Sequence, residues 1–193
     1  MAPACKEWAA VVHALLEGEQ ILDVRKGGLR EDGRHFSVQS TRFWLYPTAE
    51  HQKSELLKEP YRHWIELAHA APVGEPVTIE GWADVVKVAT VTEAEELAAI
   101  ASKLIWTDDY AATRLGWKKR DPLWVLALRV HRLLEPATIA WKDTYGGCTS
   151  WVELDGLPAD PASLPSELAL SDVAFAARLE GCVDALPALS DPA

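Results

Sequence analysis

The chain is poor in cysteine: it has three in 193 residues, and no two of them form a CxxC pair. Zinc sites built on thiolates use such closely spaced pairs, so this class of site loses its support. Scattered cysteines in odd number, with no signal peptide at the start, are typical of proteins from a reducing cytoplasm. We therefore expect a cytoplasmic protein.

Long apolar runs are also absent. A membrane-spanning helix needs about 18 or more consecutive apolar residues, and no run in this sequence approaches that length. The composition, 49% hydrophobic and 25% charged, is that of an ordinary soluble globular protein. The length predicts a single domain over residues 1–193, in which an acidic, helical C-terminal segment begins at about residue 160.

The common catalytic motifs are missing as well. The sequence has no GxxxxGKS/T, GxGxxG, HExxH or GxSxG pattern, which removes the usual support for phosphate-loop, zinc-protease and serine-hydrolase functions. Its six histidines form no HxH or HxxxH pair. We therefore predict neither a metal nor a cofactor.

The net charge of −10 argues against indiscriminate binding to nucleic acids, but the charges are segregated along the chain. Residues 22–63 carry eight Lys/Arg against six Asp/Glu, and residues 114–132 carry six Lys/Arg against one acid. Residues 143–193 carry nine acids against a single arginine, Arg178. Two interpretations stay open: a solvated acidic tail, or two basic stretches that meet in space around an anion.

Residues 21–52 contain the one Gly-Gly pair that basic residues flank, among them Arg25 and Lys26. Paired glycines let the backbone approach a ligand closely, so Gly27-Gly28 and Lys26 are suited to surround an anion. The alternative is a solvated turn, because a strand is predicted to follow where a phosphate loop has a helix. Arg25 and Lys26 are ligand-binding candidates.

Arg42 begins an aromatic strand, and His51 falls in the first turn of a helix that Thr48 is predicted to open. The positive end of a helix favours a bound anion and a neutral imidazole. If the short strands of this stretch pair, these residues converge with Arg25 and His35. Arg42 and His51 are then ligand-binding candidates, and either histidine is a candidate general base near pH 7. A solvated set of surface residues is the alternative.

One of the nine tryptophans, Trp117, directly precedes Lys118 in the second basic stretch. Aromatic rings interleaved with cations suit stacking on bases combined with phosphate contact. We predict that both residues bind the ligand, with a packed loop edge as the alternative.

The apolar periodicity predicts an α+β domain with flanking helices and a mostly antiparallel sheet, of which a barrel-like sheet is one form. The main predicted elements are a helix at residues 5–18, a helix at 48–57, a strand at 76–91 bent at Gly81, a helix opened by a capping box at 92–95, a central strand at 123–134, and a terminal helix capped by Ser171.

Five segments carry a resemblance to a known family: KEW at residues 6–8, RKGG at 25–28, RFWLYPTAEHQ at 42–52, LRVHRLLEP at 128–136 and GGCTSWVEL at 146–154. Through them the chain resembles domain of unknown function family 1802, which comprises uncharacterised bacterial and archaeal proteins of similar length. The resemblance implies a single intact domain and no particular activity. Asp23 departs from the apolar residue expected there.

A fold-level analogy links the long strand ending in RVHRLLEP to the PUA-like barrels, including the ASCH and EVE types, which bind RNA or modified bases. We therefore expect a binding domain for an anionic ligand, a nucleotide or single-stranded nucleic acid. One alternative is a small hydrolase or nuclease with a histidine general base. Another is a scaffold whose acidic C-terminal third binds a protein partner. No membrane partner is expected.

Overall fold

The computed structural model describes residues 2–26, 40–49, 52–68, 70–110, 113, 122–147 and 149–192. Seven strands lie in these residues: β1 (Ala2–Trp8), β2 (Leu22–Lys26), β3 (Arg42–Thr48), β4 (Val77–Val91), β5 (Leu123–Ile139), β6 (Trp151–Leu154) and β7 (Ser166–Leu168). The helices are α1 (Ala9–Leu16), α2 (Trp64–Leu67), α3 (Ala94–Ile100) and α4 (Asp172–Ala185). Short 3₁₀ turns connect several of these elements.

The strands form one sheet in the order β2-β5-β4-β3-β1-β6, and β7 pairs with the second half of β5. Only β1 and β3 run parallel in this described sheet; the other pairs are antiparallel. The predicted α+β domain with a mostly antiparallel sheet and flanking helices is confirmed. Within the described residues the outer strands do not pair with each other, so the sheet is curved but not closed into a barrel.

The sheet bends at Gly81 of β4, as the sequence predicts. The register between β4 and β5 shifts between Ile79 and Gly81, and shifts again between Val85 and Lys87. A Cβ atom on Gly81 would lie 2.4 Å from the carbonyl oxygen of His131 and 2.5 Å from Leu16 Cδ2. Glycine is therefore required here because the neighbouring strand and α1 both come too close for any side chain.

Helix α1 lies in the main core of the protein. Seven of its eight residues are buried, which is the pattern of a helix surrounded by protein on all sides. Neighbouring residues of β3 separate the two faces of the sheet: Phe43 and Leu45 join the core around α1, whereas Trp44 and Tyr46 join a second apolar cluster. The sheet thus has one core on each face.

Several predicted boundaries were wrong. The predicted helix at residues 5–18 is a strand up to Trp8 and a helix only from Ala9, because strand pairing with β3 and β6 outweighs the apolar spacing. Thr48 ends β3 and opens no helix; a 3₁₀ turn follows at Ser54–Leu56. The capping box of α3 is present one residue later than predicted, with Glu93 as N-cap. The central strand extends beyond residue 134 to Ile139.

Candidate ligand-binding site

The C-terminal end of β1 carries two adjacent charged side chains, Lys6 and Glu7. They point to opposite faces of the sheet because successive side chains alternate along a strand. Each residue is 5% exposed, and ionisable side chains are rarely buried to this extent unless they are paired. The end of β1 is therefore built around polar contacts on both faces.

On the face that holds α1, Glu7 forms an ion pair with Arg25 of β2. Arg25 Nη1 also lies 4.0 Å from the carboxylate of Asp23. These two strands are separated by three others in the sheet, so the contact shows how strongly the sheet curves. Glu7 Oε1 also accepts a 2.7 Å hydrogen bond from the backbone N–H of Trp8, the N-cap of α1. A carboxylate is favoured there by the positive end of the helix.

The guanidinium of Arg25 is buried and charged. Burial alone would lower its pKa, but the nearby Cys5, Glu7 and Asp23 and the hydrogen bond to Glu7 raise the pKa well above its usual value. Both polar contacts with described residues are made by Nη1. In the part of the chain that the structure describes, Nε and Nη2 donate no hydrogen bond, although a guanidinium has five N–H donors in a fixed fork.

On the other face, Lys6 holds the turn that follows β5. Its Nζ donates to the carbonyl oxygens of Tyr145 at 2.6 Å and of Gly147 at 2.8 Å. The ammonium lies 5.9 Å from the centre of the Tyr46 ring. A small cavity of about 60 Å³ opens beside these groups, and Thr48 at the end of β3 also lines it.

An aromatic group adjoins the Glu7 pair. The Trp8 ring lies 4.7 Å from Trp106, edge to face, and 5.7 Å from Tyr110 in a stacked arrangement. The rings of Trp106 and Tyr110 are themselves 4.7 Å apart. Tyr110 is the partly exposed member, whereas both tryptophans are buried. Aromatic surface and a buried charge pair thus meet at the start of α1.

The segment KEW makes contact with three of the other segments that carry the family resemblance. Glu7 contacts Arg25 of RKGG, and β1 pairs with β3, which is the start of RFWLYPTAEHQ. β1 also pairs with β6 in GGCTSWVEL, and Lys6 binds the Gly147 carbonyl there. The end of β1 is therefore the point at which segments distant in sequence come together.

Arg42, at the start of β3, lies in a second polar group. Its Nε and Nη2 donate to the two carboxylate oxygens of Asp84 on β4, at 2.7 and 3.2 Å. Its Nη1 donates to Asp160 at 3.3 Å. The hydrogen bonds to Asp84 are the main reason that the pKa of Arg42 is raised. The guanidinium also lies 5.0 Å from the centre of the Trp82 ring, within cation–π distance.

His131 of β5 completes this group. Its ring stacks on Trp82 at 3.7 Å, and Nε2 lies 3.5 Å from the Asp84 carboxylate. Burial lowers the pKa of His131; Asp84 opposes this shift, and Arg129 and Arg42 add to it. Asp84 faces Arg42 across one strand pair and Arg129 across the other. Members of both basic stretches thus meet around an anion, and that anion is the protein's own Asp84.

Much of the negative charge of residues 143–193 is paired within the molecule. Five of the nine acids in this range form ion pairs with cations that precede it: Asp155 with Lys142, Asp160 with Arg42, Glu167 with Arg132, Asp172 with Arg129, and Asp191 with Lys87. Such exposed pairs contribute at most about 1 kcal/mol each. The segregation of charge along the sequence is therefore largely compensated across the fold.

The described residues include three of the predicted ligand-binding residues. Arg25 is buried beside Glu7, Lys26 is the last residue of β2, and Arg42 binds Asp84. Arg25 and Arg42 lie in separate groups, with no contact between them among the described residues. His35, His51, Trp117 and Lys118 lie outside the described residues, so the roles assigned to them stay predictions.

Sequence reasoning missed Lys6, Glu7 and Asp23 as site residues. Lys6 and Glu7 were assigned to the polar face of a predicted helix, where charged residues are ordinary. The available signal was the pair of opposite charges directly before the apolar segment of α1, since a carboxylate at that position can bind the helix N-terminus. Asp23 stood out only as a charged residue inside an otherwise apolar strand.

The described residues contain no group of three or more His, Cys, Asp or Glu side chains placed to hold a metal ion. No helix formed by these residues is both long enough and apolar enough to cross a membrane.

Comparison with known proteins gives a family but no activity. No curated protein matches the chain. Two crystal structures of the ASCH protein from Zymomonas mobilis are similar in fold. The single-residue mutant has 11% identity and a TM-score of 0.48, and the match covers 80% of this chain and 89% of that one. The other ASCH structure has 12% identity and a TM-score of 0.46, and the match covers 80% of this chain and 88% of that one. A family model matches residues 4–180. The chain belongs to the family described as domain of unknown function DUF1802.

Proposed function

We propose that this domain binds an anionic ligand, a nucleotide or a short single-stranded nucleic acid, at the end of the curved sheet where β1 and β2 terminate. The observation that carries the proposal is the buried guanidinium of Arg25, which Glu7 and Asp23 hold in place through one nitrogen. A cation fixed in this way is preorganised for a bidentate contact with phosphate.

The position of Arg25 in the chain supports this function. It is followed by Lys26 and by Gly27-Gly28, the pair that the sequence predicts as a close-approach loop. We expect the backbone N–H groups of this pair and a second cation to add to the contact that Nε and Nη2 of Arg25 make with a phosphate. Lys26 and Lys118 are the residues we expect to supply that additional positive charge.

The neighbouring groups favour a nucleotide over a simple inorganic anion. A nucleotide combines a phosphate, which the guanidinium can bind, with an aromatic base that can stack on a ring. Tyr110, partly exposed beside Trp8, offers an aromatic surface for stacking. Trp117 is predicted to add another.

A fluorescence titration tests the proposal. The nine tryptophans provide the signal, and the probes are AMP, ATP and short homopolymeric DNA and RNA oligonucleotides. We expect saturable binding at low salt, and we expect the affinity for oligonucleotides to fall steeply as salt rises to about 200 mM. Absence of binding by every probe at low salt would contradict the proposal.

The matched variant is Arg25→Lys, which preserves the positive charge opposite Glu7 but removes the remaining fork of N–H donors. We expect it to weaken binding about tenfold, because a hydrogen bond to a charged group contributes about 1.5–3 kcal/mol. The control is Arg132→Lys, at an arginine that pairs with Glu17 and Glu167 away from this site. Equal affinities for the two variants would refute the role of Arg25.

A further inference from the structure

A cavity of about 210 Å³ lies between residues 19–21, residues 102–103 and α4. Gln20 itself is a fixed wall of this cavity: its amide donates to the Leu22 carbonyl and accepts from the Ile105 N–H. At about 30 Å³ for each water, the volume suffices for a tetrahedral oxyanion with a small attached group.

Two cations from different elements line the cavity, Lys103 and Arg178. Arg178 is the single basic residue of the acidic segment 143–193, and its Nη1 donates to the backbone carbonyl of Glu19 at 2.5 Å. Lys103 Nζ lies over α4, where a Cβ on Gly181 would come within 3.3 Å of it. The missing side chain at Gly181 leaves room for the ammonium group.

Six other cations in the described part of the chain are paired with carboxylates. Arg25, Arg42, Lys87, Arg129, Arg132 and Lys142 each have a carboxylate within 4.0 Å. Neither Lys103 nor Arg178 has such a partner among the described residues, in a protein whose net charge is −10. Glu19 is the one acidic residue lining the cavity, and the contact it makes to Arg178 uses its backbone oxygen.

The floor of the cavity does not oppose a negative charge. Cys182 is buried there, 2% exposed. Burial raises the pKa of its thiol, against the opposing effect of Lys103 and Arg178, so the group stays neutral near pH 7. Lys103 and Arg178 are exposed residues that line the same cavity, so an anion bound there can contact both cations without displacing a paired carboxylate of the described residues.

We propose that this cavity is a site for a phosphate group, separate from the Arg25 site, with Lys103 and Arg178 as its two ligating cations. Arg178 binds through its planar guanidinium and Lys103 as a point charge. The same chemistry would accept inorganic phosphate or a small organic monophosphate.

Isothermal titration calorimetry on the full chain, with inorganic phosphate, glycerol phosphate and sulfate at constant ionic strength, tests this site. We expect saturable phosphate binding that Lys103→Gln and Arg178→Gln each weaken about tenfold or more. The matched control is Lys53→Gln, at an exposed lysine outside the cavity, which should bind as the native chain does. Tighter binding of glycerol phosphate than of phosphate would identify the organic monophosphate as the better ligand.

A thermal melt separates a binding role from a structural one. Without phosphate, Lys103→Gln should melt close to the native chain, because its ammonium pairs with no carboxylate of the described residues. Arg178→Gln should melt slightly lower, because it loses the hydrogen bond to the Glu19 carbonyl. With phosphate, the native midpoint should rise and theirs should not. Non-saturating heats, or equal phosphate affinity in all variants, would overturn the site. Loss of phosphate binding in Arg25→Lys but not in Lys103→Gln would also overturn it, and would assign the phosphate to the other site.

Discussion

Replacement of Glu7 by glutamine removes the negative charge from the buried pair and keeps the size and shape of the side chain. The oxygen of the glutamine amide can still accept the hydrogen bond that the Trp8 N–H donates to Glu7 Oε1 in the native chain. What the variant loses is the negative charge opposite the Arg25 guanidinium. Removal of one partner from a buried ion pair costs about 3–5 kcal/mol, because the other charge stays buried without compensation.

The lower end of this range applies here. Asp23 lies 4.0 Å from the same guanidinium nitrogen and compensates part of the lost charge. We therefore expect the free energy of unfolding to fall by about 3 kcal/mol, out of a total of about 5–15 kcal/mol for a protein of this kind. For a chain of this length, the midpoint of thermal unfolding should fall by about 6–12 °C.

Urea unfolding followed by tryptophan fluorescence measures this loss, with Glu153→Gln on the exposed side of β6 as the control. The control should change stability by less than about 0.5 kcal/mol. Adding Arg25→Met to Glu7→Gln should recover part of the loss, since the uncompensated charge is removed as well. A decrease below about 1 kcal/mol for Glu7→Gln would show that the pair is not held in the low-dielectric interior.

Four further variants have expected outcomes. Gly81→Ala should lower the free energy of unfolding by about 3 kcal/mol or more in a urea titration, because its Cβ would lie 2.4 Å from a backbone oxygen. Gly74→Ala, at a positive φ with open space around it, should cost only about 1 kcal/mol. His131 has a lowered pKa, so the unfolded chain binds the proton more tightly, and stability should fall as the pH falls through 6.5 and below. Urea titrations at a series of pH values should show a smaller loss of stability at low pH for His131→Gln than for the native chain. An unchanged pH profile would show that His131 is not the group responsible. Ser171→Ala should cost about 1 kcal/mol in thermal melts, because the hydroxyl caps the first turn of α4.

Much of the fold was predictable because local signals agreed with the tertiary arrangement. The apolar run from Leu123 is a central strand, and Ser171 caps the terminal helix with the expected hydrogen bond. The N-terminus shows where this reasoning fails. Apolar residues at helical spacing continue from Trp8 into α1, and nothing local marks the point at which the strand ends. The strand extends to this point because β1 pairs with β3 and β6, which are distant from it in the sequence.

The candidate site was predictable only in part, for a related reason. Arg25 and Lys26 stand beside Gly27-Gly28, so the basic edge of the site was visible in the sequence. Its acidic partner was not, because Glu7 reaches Arg25 only after the sheet has curved through three intervening strands. A contact of this kind depends on the bend at Gly81 and on the packing of α1, and neither fixes a spacing in the sequence.

The two polar groups of the sheet also differ in how many guanidinium nitrogens remain available to a ligand. Arg42 uses Nε and Nη2 on Asp84 and Nη1 on Asp160, so its guanidinium is committed to intramolecular carboxylates on every nitrogen. Arg25 uses Nη1 alone among the described residues, although it is far less exposed. A half-buried arginine that donates from every nitrogen stabilises the fold, whereas a buried arginine with nitrogens left over costs stability unless something binds them. On this ground our proposal places the ligand at Arg25, and we expect Arg42→Lys to change thermal stability more than ligand affinity.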